Sequence, residues 1–262
     1  MLATFCTRVA LGMLGSLLLL SPRQLHPRFF RTHFLTALGL LVVATFTAWP
    51  ESDSWPAALL TLGSVLAVFG CLSWSLEPAP GGRTIIVLTC LALGVALALM
   101  PRLEPESFWV VLPREMPTPQ YRSALLLAGD LTSAAVLGTA LTAMLVGHSY
   151  LISPGMTLTP LMRCLLAGGV ALAARVAVIG WGLWRWTELN PTYTLNDEVV
   201  LWLPVRWLVG IVAPLGFGWM AYSAARIRST QSATGILYVV VVCGFLGELL
   251  GLLLTRQTGL PL

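Results

Sequence analysis

Lysine is absent from this chain, and charge of either sign is scarce. The 15 basic residues are all arginine, and with 11 acids they make up only 10% of the sequence. An ordinary soluble domain carries roughly a quarter of its residues charged. With 57% of the chain hydrophobic, there is too little polar surface to cover an apolar core, so the solvent must itself be largely apolar. The arginines are scattered rather than gathered into a stripe, which argues against nucleic acid as a partner.

Metal-type cysteine spacing is also missing. Cys6, Cys71, Cys90, Cys164 and Cys243 stand singly in apolar stretches, where a free thiol behaves as a small hydrophobe. Covalent c-type haem, zinc and iron–sulfur ligation find no support in that pattern. No HExxH, GxSxG or phosphate-binding loop occurs, so protease, lipase and nucleotide-driven chemistry lack their residues. The chain alone is not expected to be a catalyst.

What is present is a succession of apolar runs, each near the 20 or so residues that a helical span requires. They cover Leu2–Leu20, Thr32–Trp49, Pro56–Leu76, Thr84–Met100, Ser123–Gly147, Pro160–Trp184, Val199–Ser223 and Ser232–Leu254. The fold class expected is therefore all-α, a polytopic transmembrane bundle of about eight spans forming one membrane domain over residues 1–262. The first run follows the pattern of a retained helix, because Leu19–Arg23 offers no small-x-small cleavage site. The connections hold proline, glycine and most charges, as loops do. Trp109, in the longest of them, suggests an interfacial segment, and Trp49, Trp55, Trp74, Trp181, Trp184 and Trp202 fall where an aromatic belt would lie. No internal sequence repeat is visible.

Arginine placement sets the expected orientation. Arg23, Arg28, Arg31, Arg83, Arg163, Arg226 and Arg228 cluster on one side with a single acid, Glu77, and that side is expected to be cytoplasmic. Both termini then lie outside, and the expected location is a bacterial cytoplasmic membrane, crossed many times.

Ionisable groups inside spans are costly and are functional hypotheses by default. Asp130, Arg175, Arg206 and Glu248 are the clear cases. At about 1.5 Å of rise per residue, all four lie roughly 9–14 Å below the outer boundary. Two acids and two bases at one depth can neutralise each other. Asp130 with Arg175, on consecutive antiparallel helices, is the first pair expected, and Arg206 with Glu248 the second. Such a layer either locks four helices together or lines a pocket toward the outer leaflet, where it would bind a quinone carbonyl or exchange its proton.

His33 and His148 stand at the cytoplasmic ends of helices 2 and 5. Equal depth would suit the two axial ligands of a b-type haem, although a boundary histidine more often bonds a loop or meets headgroups. His148 also projects onto the face of Asp130 at 3.6 residues per turn, and a proton path there would pass Ser133 and Thr142. In Ser229–Gly235, the hydroxyls are natural helix N-caps. Pro204 and Pro214 are candidate kinks in helix 7.

Helix 8 contains Gly247-Glu248-Leu249-Leu250-Gly251. With eight spans and charges near the outer face, the chain resembles the eight-helix membrane-anchor subunits of polysulfide- and dimethyl-sulfoxide-reductase-type complexes. Their last helix often carries Gly-Glu-Leu-x-Gly followed by Arg; here Leu252 takes that place. The resemblance implies a quinone-handling subunit of a respiratory or photosynthetic redox complex, with Glu248 as a quinone-site or structural acid and other chains as electron-transferring partners. A secondary transporter or channel, and a membrane scaffold or assembly protein, are the alternative readings of the same charges.

Overall fold

The computed structural model describes residues 1–48, 54–76, 79–100, 119–152, 155–189 and 198–262. The expected interfacial segment around Trp109, and Trp49, lie outside them. Among the described residues the elements are helical throughout: α1 (Leu2–Ser16), α2 (Pro27–Ala48), α3 (Ser54–Ser73), α4 (Gly82–Leu99), α5 (Pro119–Ile152), α6 (Thr159–Leu189), α7 (Glu198–Trp207), α8 (Ala213–Arg226) and α9 (Thr230–Thr258). A π-helical turn, Leu208–Val212, joins α7 to α8, so the two form one span. Eight helices are long and apolar enough to cross a membrane, and the all-α eight-span bundle expected from the sequence is what the chain forms.

The helices satisfy the demand that an apolar solvent makes. Each spanning backbone keeps its bonds internal, and hydroxyls within the spans return to their own helix. Thr45, Thr61, Ser64, Thr89, Thr132 and Thr234 each donate to the carbonyl four residues earlier. The circumference is apolar, with Phe46, Phe69, Leu91, Val170 and Trp219 exposed, a surface suited to lipid tails.

Helix adjacency divides the bundle into two halves of like arrangement. In the first, α1 packs on α2, α2 on α3, α3 on α4, and α4 returns to α1. In the second, α5 packs on α6, α6 on α8, the α7–α8 span on α9, and α9 returns to α5. The halves meet chiefly where α1 lies along α5. These two run parallel: Arg8 meets Asp130, Gly12 meets Ala134 and Gly138, and Ser16 meets Gly138 and Thr142. A Cβ on Gly12 would overlap the Ala134 carbonyl, and one on Gly138 would overlap the Gly12 backbone. The small residues thus set a close crossing of the kind that packs membrane helices. Because 61% of the first span is buried, more than of any other, α1 is the central element of the molecule.

Two local expectations are corrected. Trp74 is no belt residue: it is buried, stacked on Phe30 with ring centroids 4.1 Å apart, because Gly82 leaves room for its indole. At the start of α9, Ser229 occupies the N-cap position without a side-chain cap bond. Its hydroxyl donates to that of Ser232 at 2.9 Å instead.

Candidate functional site: a buried charged layer

Asp130, Arg175, Arg206 and Glu248 are all buried, and the structure brings them into one layer near the bundle end where α1 begins. Among the described residues a fifth, Arg8, joins it. Arg8 donates through Nε to Asp130 Oδ1 at 2.9 Å and through Nη2 to the same oxygen, while its Nη1 reaches Ser133 Oγ at 3.4 Å. The long side chain of Arg8 leans toward the start of α1, as helical side chains do, which takes its charge about one turn back to the level of Asp130.

The pairing differs from the sequence expectation. Arg175 turns to Glu248 rather than Asp130, in a two-pronged bond of Nε to Oε1 at 3.0 Å and Nη2 to Oε2 at 2.7 Å. Its remaining Nη1 donates to the Gly129 carbonyl at 2.9 Å. The planar fork of a guanidinium matches both carboxylate oxygens at once, and α9 presents Glu248 with that geometry. The Arg206–Glu248 pair forms as expected, with Nη2 at 3.4 Å from Oε1. Arg8 Nη1 approaches Glu248 Oε2 to 3.8 Å. Glu248 is thereby the shared counter-ion of three arginines.

Glycines make the room. Gly210, in the π-helical turn, and Gly247 cross so closely that a Cβ on either would overlap the other's backbone. Arg206 threads the groove beside them, and a Cβ on Gly251 would stand 2.8 Å from its Nε. In the Gly-Glu-Leu-Leu-Gly stretch, Gly247 therefore admits the backbone of the π-helical turn and Gly251 the Arg206 side chain.

Arg206 is fully buried, yet its Nη1 has no hydrogen-bond partner among the described residues. Among the described residues, the layer there sets three guanidinium groups against two carboxylate side chains. An unsatisfied donor on a buried cation is costly, so this is the point at which the layer has bonding capacity to spare.

The histidines do not form a pair. His33 is buried, with Nδ1 2.9 Å from the Phe29 carbonyl and Nε2 3.4 Å from Thr142 Oγ1. Both ring nitrogens are occupied. His148 is exposed, because α5 turns Val146 and Tyr150 inward at that level and a residue two positions along a helix points nearly opposite. The structure thus presents His33 inside the bundle and His148 at its exterior, and does not bring the two rings to a common site. Thr142 instead joins His33 to Ser16, whose hydroxyl lies 2.5 Å away. Among the described residues no group of three or more metal-ligating side chains occurs.

The chain matches no family model, no curated protein and no solved structure. Its function is therefore argued from the layer itself.

Arg8 was missed in the sequence because it reads there as the basic flank of the first span. The signal was available: Arg8 lies six residues in from Leu2, about 9 Å at the helical rise, the depth of the other four.

Proposed function

We propose that this protein is a membrane subunit of a redox complex that binds a quinone in the charged layer of its second half. The observation that carries the reading is the Arg206 Nη1 that has no hydrogen-bond partner among the described residues, in a buried layer where Arg8, Arg175 and Arg206 all surround Glu248. A ligand suited to it must supply a hydrogen-bond acceptor and partition into lipid, and a quinone does both with its carbonyls and apolar tail. Arg206 would hold the carbonyl, and Arg175 and Glu248 would hold Arg206 in position. The chain offers no electron carrier of its own among these residues, so electrons would come from partner chains. Purification in mild detergent tests this: extractable quinone and redox partner chains should accompany the wild-type protein, and Arg206→Met should lose the quinone while remaining folded. Absence of both quinone and partners from the wild type contradicts the reading.

A secondary transporter is the second reading, favoured by one observation. The two halves repeat the same helix adjacency, and the Arg8–Asp130 bond lies on the α1–α5 contact between them. Parallel repeats with a midplane site at their interface are a transporter design. Ion or solute flux in liposomes that Asp130→Asn abolishes would select it.

A further inference from the structure

The chain beyond α9 packs into the second half and reaches the charged layer. Gly259 ends α9 in the left-handed conformation, φ 71°, which only a residue without a Cβ adopts freely. The chain then turns back into the second half. Leu260, Pro261 and Leu262 are all buried, although they belong to no helix. Leu260 and Leu262 pack with Leu183 and Trp186 of α6 and with Trp202 and Leu203 of α7. Pro261 rests on α5 and α6, where a Cβ on Gly129 would come within 3.1 Å of its ring and one on Gly182 would overlap its carbonyl. The Leu262 main-chain oxygen accepts from Arg206 Nε at 3.3 Å.

This segment fills a gap between two helices. Toward the opposite end of the bundle α6 packs on α8, but α6 and α7 make little direct contact, and the segment stands between them. It presents branched apolar side chains to tryptophan and leucine, and one main-chain oxygen to an arginine. We infer that residues 259–262 are a displaceable plug between α6 and α7, and that a quinone enters by displacing them, its carbonyl reaching the Arg206 guanidinium that the Leu262 main-chain oxygen now covers at Nε. The inference rests on the quinone reading and adds a mechanism of access to it.

The test compares the full chain with a variant lacking residues 259–262, each titrated with a quinone bearing a short alkyl tail and followed by tryptophan fluorescence. A site open only part of the time binds with an affinity reduced by that open fraction, so the deletion should tighten binding by about tenfold or more. Equal affinity in the two proteins overturns the plug and leaves the quinone reading standing. Binding by neither overturns both. Where the deletion does not accumulate, Leu262→Cys in the full chain serves, with maleimide labelling of that peptide read by mass spectrometry. Labelling should be slow without quinone and rise severalfold with it; labelling unchanged at saturating quinone overturns the plug.

Discussion

Arg8 of α1 and Asp130 of α5 form a charged pair across the contact between the two halves of the bundle, with both groups buried. A lone charge in a span is expensive, and two charges on different helices that satisfy each other penalise any slippage that separates them. The Gly12–Gly138 crossing and the Ser16–Thr142 hydrogen bond extend the same register along the two helices. The pair therefore fixes the relation of α1 to α5 as well as neutralising charge.

Removal of one partner should cost more than removal of both. Arg8→Met and Asp130→Leu are each expected to destabilise the protein by about 3–5 kcal/mol, the cost of removing one partner from a buried ion pair. The double variant should lose clearly less than the sum, because neither charge is left alone. Unfolding in mild detergent measures the cycle, and strict additivity would argue that the two residues do not meet.

Glu248 should be the least replaceable acid. Its loss strands Arg175 and Arg206 together and weakens the surroundings of Arg8. Glu248→Leu is expected to reduce accumulation in the membrane more than Asp130→Leu, and adding Arg175→Met to Glu248→Leu should restore part of it. Quantitative immunoblotting of membranes provides the comparison; no recovery in the double variant would contradict the shared counter-ion.

The glycine crossings make a prediction of opposite signs. Gly138→Leu and Gly247→Leu must push helix backbones apart, and both should prevent folding or lower the melting temperature sharply. Gly216 has open space around its Cβ position, so Gly216→Ala should be neutral or gain up to about 1 kcal/mol from helix propensity. Similar losses at all three positions would mean that the crossings are misplaced.

The two histidines should behave differently. His33→Leu removes one of the two hydroxyl and ring partners of Thr142 and the ring's bond to the Phe29 carbonyl, and a loss of about 0.5–1.5 kcal/mol per hydrogen bond is expected. His148→Leu, at an exposed position, should stay within about 0.5 kcal/mol. Thermal unfolding of the two variants side by side decides it.

The spans were legible because lipid imposes one rule on the sequence, long apolar runs broken by charge and proline. The depth of Asp130, Arg175, Arg206 and Glu248 was legible for the same reason, since rise per residue converts position into depth. Which charge meets which was not. That depends on helix adjacency, and α9 turns out to carry Glu248 to Arg175 while α1 supplies Arg8 to Asp130. The likeness of the two halves lies in helix adjacency, which no internal sequence repeat announces. The fold-back at Gly259 was written only in a glycine followed by Leu260 and Leu262, too short a run to register as an element.

The most direct test of the quinone site is photolabelling of the purified protein with a quinone carrying a photoreactive group on its ring. The label should fall on peptides of α7 and α9 around Arg206 and Glu248, and excess unmodified quinone should suppress it. Label confined to lipid-facing helices of the first half, or undiminished by competitor, would contradict a quinone site in the charged layer.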